Sequence, residues 1–202
     1  MKIGLYFGTF NPVHVGHLII ANYMVDYTDL DQVWLVVTPQ NPLKSKSSLL
    51  QDYHRLAMVR LAIENNNKLH ASNIEFDLPK PSYTVQTLAY LREAHPEKEF
   101  ALIMGEDNLR TFYKWYNNEE ILRNHHLYVY PRALTESERE EQQPLKPNTD
   151  LMNHPHVTVC DAPVMKLSAS FIRKAIRQKK DVRYLLTEPV HKYVDEMNFY
   201  KD

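Results

Sequence analysis

Cysteine is nearly missing from this 202-residue chain, where Cys160 is the single one. A lone cysteine forms no intramolecular disulfide, which argues against a secreted disulfide scaffold and fits a reducing cytoplasmic compartment. In the apolar run Val157-Thr158-Val159-Cys160 it reads as a buried strand thiol rather than a nucleophile. An excess of one charge is also lacking. Lys and Arg number 24 against 25 for Asp and Glu, a net charge of −1, so no basic field invites nucleic acid. A small phosphorylated ligand needs only a local cluster of donors and stays open. No apolar run approaches the ~20 residues that span a bilayer. Met1-Lys2 leads straight into an apolar stretch, so neither a membrane partner nor a targeting segment is expected. Glycine is scarce as well. There are four, and two of them, Gly8 and Gly16, fall in one short stretch near the N-terminus.

What is there reads as an ordinary globular chain, 44% hydrophobic and 24% charged. Its length suits a single domain over 1–202 with a well-buried core. Strand-like runs at 3–7, 32–38, 70–77, 100–104, 127–130 and 157–160 alternate with helical patterns at 18–27, 52–65, 84–94, 170–177 and 190–197. Short apolar strands separated by helices predict an α/β, Rossmann-like, doubly wound parallel sheet with helices on both faces. Segment 133–148 is polar and reads as an exposed excursion, with capping-box spacing at Thr135 and Glu138. In such sheets ligands sit beyond the C-terminal strand ends, at the point where strand order reverses.

The densest stretch follows the first strand: Gly8-Thr9-Phe10-Asn11-Pro12-Val13-His14-Val15-Gly16-His17. It places two imidazoles and free backbone N–H groups at the mouth of a helix, where anions bind. Its glycines permit close backbone approach to a ligand. A zinc site is disfavoured, because no Cys or carboxylate stands at metal spacing from His14 and His17. Leu167-Ser168-Ala169-Ser170-Phe171-Ile172-Arg173 opens a later helix, with Ser170 as its expected N-cap and Arg173 as a bidentate phosphate donor. Pro39-Gln40-Asn41-Pro42-Leu43-Lys44 follows the second strand and carries a mobile cation. Gly105-Glu106-Asp107 follows the strand at 100–104. Pro81-Ser82-Tyr83-Thr84 opens a helix, and Trp115-Tyr116 lies in polar surroundings that suggest a partly exposed stacking surface.

The ten-residue stretch resembles the G-x-F-x-P-x-H-x-G-H signature of the nucleotidyltransferase superfamily. L-S-A-S-x-I-R resembles that family's I-S-S/A-T-x-I-R motif, with Leu for Ile and Ser170 for Thr as mild departures. The turn before Lys44 resembles Pro-Pro-His-Lys with Leu43 in the histidine's place, which leaves Lys44 and Lys46 as alternatives for a phosphate contact. P-S-Y-T-x-x-T-L, G-x-D and K-W-Y narrow the resemblance to the bacterial nicotinate-mononucleotide adenylyltransferase branch, from Met1 to about Tyr200. Arg132 stands near that family's Arg-Pro-Gly, but Ala133-Leu134 replace Pro-Gly, so its role stays open.

The resemblance implies adenylyl transfer from ATP to nicotinate mononucleotide, with Mg²⁺ bound through the ATP phosphates. It implies catalytic roles for His14, His17, Lys44 and Arg173, as donors that neutralise charge on the phosphates. ATP contacts are implied for Gly8, Thr9, Phe10, Gly16, Gly105, Asp107, Ser168 and Ser170. Mononucleotide contacts are implied for Asn11, Thr84, Trp115 and Tyr116. Nicotinamide mononucleotide or phosphopantetheine as acceptor, and a non-catalytic nucleotide sensor of the same fold, are the alternatives. The sequence is compatible with a homo-oligomer and does not fix oligomeric state.

Overall fold

Apolar runs that must be buried on both faces become central strands, and six of them do so in a computed structural model, which describes residues 1–39, 49–133 and 149–201. They are β1 (Lys2–Gly8), β2 (Gln32–Val37), β3 (Leu69–Ser72), β4 (Glu99–Gly105), β5 (Leu127–Tyr130) and β6 (Val157–Val159). They pair in the order β3-β2-β1-β4-β5-β6, every pairing parallel. Strand order therefore reverses between β1 and β4, and a crevice opens there at their C-terminal ends.

Eight helices are described: α1 (Val15–Tyr27), α2 (Asp52–Ile63), α3 (Thr84–Ala94), α4 (Glu106–Thr111), α5 (Asn118–Asn124), α6 (Thr149–Met152), α7 (Ala169–Arg177) and α8 (Glu188–Glu196). The period-2 alternation of strand side chains separates two cores. Val33, Leu35, Val37, Ala101 and Ile103 face one side, where Ile20, Leu56, Ile172 and Val190 of α1, α2, α7 and α8 cover them. Ile3, Leu5, Val36, Phe100, Leu102 and Met104 face the other, under Leu88, Leu109 and Ile121 of α3, α4 and α5. Each such buried aliphatic side chain contributes roughly 2 kcal/mol.

Two differences from the expected elements bear on the site. The helix expected at 18–27 begins at Val15, so Gly16 and His17 lie in its first turn. The strand expected over 70–77 stops at Ser72, and Ile74–Phe76 form a 3₁₀ turn instead. That turn carries Glu75 beneath α3. There its carboxylate is buried and accepts from Thr87 Oγ1 at 2.9 Å. A bond to a side chain on the next helix outweighs another rung on an edge strand. The expected capping pair Thr135 and Glu138, and the excursion beyond 133, lie outside the described residues.

Candidate active site

Gly8 closes β1, and a Cβ added there would lie 2.8 Å from the Phe10 ring. Phe10 itself turns the chain at φ 45°, a left-handed conformation that costs a non-glycine residue about 1 kcal/mol or more. Its buried ring holds the turn, packed edge-on against Tyr6 at 5.9 Å and His17 at 5.0 Å. His14 follows as N-cap of α1. Its backbone N–H donates to His17 Nδ1 at 3.2 Å. Because Nδ1 accepts, the proton of the neutral His17 ring sits on Nε2, which becomes a directed donor. The two rings stack with centroids 3.8 Å apart. A Cβ on Gly16 would stand 3.0 Å from the His14 ring, so glycine is what lets that ring lie over the helix's first turn.

The sequence reading treats these histidines as charge-neutralising donors. In the structure they stand neutral. Burial, and then the charge of Arg132, push His14 down to about 4. Burial, the His14 ring and Arg132 hold His17 well below the ordinary imidazole range. The imidazoles therefore offer N–H dipoles, while the fixed positive charge among the described site residues comes from guanidinium groups. His14 Nδ1 is buried without a hydrogen-bond partner.

Arg132, whose role the sequence left open, belongs to this site. Its Nη1 donates to Asp107 Oδ2 at 2.7 Å, and its charge reaches both histidines. Gly105 is the N-cap of α4 and Asp107 lies in that helix's first turn. Asp107 is buried, and its Oδ1 has no hydrogen-bond partner. A Cβ on Gly105 would collide with that oxygen. Beneath them the hydroxyls of Tyr6 and Tyr130 meet at 3.2 Å, across β1 and β5.

Ser168, not Ser170, caps α7: its Oγ accepts from Phe171 N at 3.2 Å. The helix starts one residue earlier than expected, which leaves Ser170 exposed in its first turn. There Ser170 accepts from Arg173 Nη2 at 3.1 Å. Arg173 Nη1 donates to Asn11 O at 2.8 Å, so the second motif docks on the first across 162 residues of chain. Asn11 is buried, and its Oδ1 accepts from Tyr200 OH and Leu50 N. Its side-chain oxygen is thus occupied by the protein's own donors.

Thr84 is the first residue of α3 and Tyr83 its N-cap. The Thr84 and Val85 amides have no intrahelical partner. The Tyr83 and Tyr116 rings lie 5.1 Å apart, both exposed. Trp115 is half-buried, 5.4 Å from Phe112 at the rim of the second core. Thr87 Oγ1 of α3 donates to Glu75 beneath it, and separately Thr38 N donates to Gly8 O at 2.9 Å, joining the ends of β1 and β2. Lys44 and Lys46 lie outside the described residues.

Sequence reasoning missed Arg55. It is fully buried, yet its guanidinium donates to Thr9 O at 2.6 Å, Thr38 O at 2.9 Å and Pro39 O at 3.4 Å. Its Nε donates to Leu50 O at 3.0 Å, and Asp52 Oδ1 neutralises it at 2.5 Å. One arginine thus ties the ends of β1 and β2 to α2. The only signal in the sequence is the i,i+3 spacing of Asp52 and Arg55, which an exposed helical pair shares. Among the described residues no group of three or more His, Cys, Asp or Glu is arranged to hold a metal ion. No described helix is long and apolar enough to cross a membrane.

Imidazole N–H donors and guanidinium groups gather around a helix mouth, a donor set whose chemistry suits an anion. Among the described residues no side chain is poised as a nucleophile. A family model described as cytidylyltransferase-like matches residues 5–175. A Flavobacterium johnsoniae protein named "Probable nicotinate-nucleotide adenylyltransferase" is 56% identical, covering 100% of both chains. A Bacteroides fragilis protein of the same name is 42% identical over 96% of this chain and 90% of its own. Among solved structures, Plasmodium falciparum nicotinic acid mononucleotide adenylyltransferase complexed with NaAD superposes with a TM-score of 0.77, at 19% identity, covering 98% and 97% of the two chains. That last likeness concerns the fold.

Proposed function

This chain is a member of the cytidylyltransferase-like family, and from that premise we propose that it transfers the adenylyl group of ATP to nicotinate mononucleotide, giving deamido-NAD and pyrophosphate. One observation carries the chemistry: two stacked, neutral imidazoles at the mouth of α1, within reach of the charge of Arg132. The choice of substrate rests on the full-length likeness to relatives that bear this activity in their names.

A phosphate oxygen of the mononucleotide attacks the α-phosphorus of ATP. The bond from that phosphorus to the bridging oxygen breaks, and pyrophosphate leaves with the electron pair. The attacking phosphate has its second pKa near roughly 6, so at neutral pH it is ionised and needs no general base. The protein's task is to align two anions and to stabilise charge that builds on the α-phosphate and leaving group. His17 Nε2–H is a fixed dipole for this purpose, with His14 beside it. Arg173 holds the leaving phosphates from α7, aided by Ser168 and Ser170, and Lys44, which follows β2 in the sequence, adds a cation. Gly8, Thr9, Phe10 and Gly16 line the nucleotide. Asp107 Oδ1, buried without a partner, suits a ribose hydroxyl near Gly105. Imidazole and guanidinium donors suit phosphate oxygens, which fits a Mg²⁺ ion held by ATP itself; when bound, it adds positive charge on the triphosphate.

For the acceptor, the amides that open α3 at Thr84 favour a carboxylate over a carboxamide, and Trp115 and Tyr116 stack on the ring. We place the enzyme in the cytoplasm as one catalytic domain over 1–202. The test is purified protein with ATP, Mg²⁺ and, in turn, nicotinate mononucleotide, nicotinamide mononucleotide and phosphopantetheine, read by pyrophosphate release. The expected result is the highest kcat/KM with nicotinate mononucleotide. Equal efficiency with the amide would refute the specificity, and no release with any acceptor would refute the transfer.

A further inference from the structure

We propose that Tyr200 is a positioning residue of the transfer site: its hydroxyl holds the turn after β1 in the shape that lets Asn11 orient Arg173. The inference deepens the adenylyl-transfer reading and rests on Arg173 as its phosphate donor.

Beyond α8 the chain reverses sharply. Met197 N bonds to Tyr193 O at 3.1 Å and Phe199 N to Val194 O at 3.0 Å. Asn198 at φ 54° and Tyr200 at φ 62° both adopt the left-handed conformation. Neither is glycine, so each carries a conformational cost that contacts elsewhere must offset. Phe199 supplies apolar contact, its ring 4.8 Å from His54 and 5.9 Å from Tyr193. Tyr200 supplies a polar one. Its hydroxyl reaches back across 189 residues to Asn11 Oδ1 at 2.7 Å.

The direction of that bond is fixed. The Leu50 N–H also points at Asn11 Oδ1, at 3.3 Å. A backbone amide only donates, so the atom facing it is the oxygen, and Tyr200 must donate too. Two donors fill both lone pairs of Asn11 Oδ1. The main-chain carbonyl of the same residue accepts from Arg173 Nη1 at 2.8 Å. The second anchor of the guanidinium is Ser170, which is exposed in the first turn of α7. Of the two anchors, Asn11 is the buried one, and it follows a residue already in a costly conformation, Phe10. A phenylalanine in place of Tyr200 would fill the same volume, and only the hydroxyl reaches Asn11.

The test uses the full chain as wild type, Tyr200→Phe, Arg173→Lys and the double variant. ATP affinity with Mg²⁺ is read by calorimetry, and kcat and both KM values by pyrophosphate release. Tyr200→Phe is expected to weaken ATP roughly 5-fold, the scale of one neutral hydrogen bond. In the Arg173→Lys background it should cost under about 2-fold, because the group it acts through is gone. The KM for nicotinate mononucleotide should stay constant, a split that a merely structural role would not give. An equal penalty in both backgrounds, no penalty at all, or an equal rise in both KM values overturns the proposal. If Arg173→Lys binds too weakly to measure, the KM split of Tyr200→Phe alone decides between the same outcomes. A wild type that binds ATP but releases no pyrophosphate sinks the adenylyl-transfer reading instead, and the binding cycle still decides on Tyr200.

Discussion

Acidification should unfold this protein partly through His14. The ring is 5% exposed and its pKa falls from 6.5 to about 4 on folding. Below 6.5 the unfolded chain takes up a proton that the folded chain refuses. Stability is therefore fully present above that value and is lost as pH falls toward 4. Taking the two pKa values, the loss from this one group is about 2 kcal/mol at pH 5 and about 3 kcal/mol at pH 4. His17, also depressed, adds a loss of the same sign. The assay is urea unfolding of wild type and His14→Gln at pH 7 and pH 5. Glutamine does not titrate, so the variant starts less stable but should lose about 2 kcal/mol less between the two pH values. In heat denaturation the same difference is about 4–8 °C for a chain of this size. Equal pH dependence in the two proteins would refute the reasoning, because it would mean that the His14 ring is protonated as readily in the folded state as in the unfolded one.

His17→Ala removes the directed Nε2–H donor and should lower kcat by about 10²-fold or more in a folded protein, checked by pyrophosphate release alongside circular dichroism. Arg173→Lys keeps the charge but loses the planar fork shared between Asn11 and Ser170, so KM for ATP should rise while the mononucleotide KM changes little. Gly16→Ala gains roughly 1 kcal/mol of helix propensity yet presses on the His14 ring, so thermal stability should barely move while turnover falls. Arg55→Met leaves the carbonyls of Thr9, Thr38 and Leu50 buried without their donor, and denaturant unfolding should show a loss of about 3 kcal/mol or more.

The sequence by itself determined the layered fold and the place of the crevice. Strands buried on both faces must be short apolar runs, and those at 3–7, 32–38, 100–104 and 127–130 are legible for that reason. The glycines and histidines of 8–17 are legible because their roles are local: a helix mouth and close packing arise within one turn of chain. Tertiary structure alone decided what depends on remote partners. Ser168 rather than Ser170 caps α7, while the Ser170 hydroxyl accepts from Arg173, whose guanidinium also reaches the distant Asn11. The run at 70–77 breaks at Ser72, because Glu75 bonds to Thr87 on another helix. His14 and His17 are neutral because of burial and Arg132, which no spacing announces. Arg55 and Tyr200 show the limit most clearly. Caps and periodicity are short-range signals, whereas a buried guanidinium on four carbonyls, or a hydroxyl bonded across 189 residues, leaves no periodic trace in the chain.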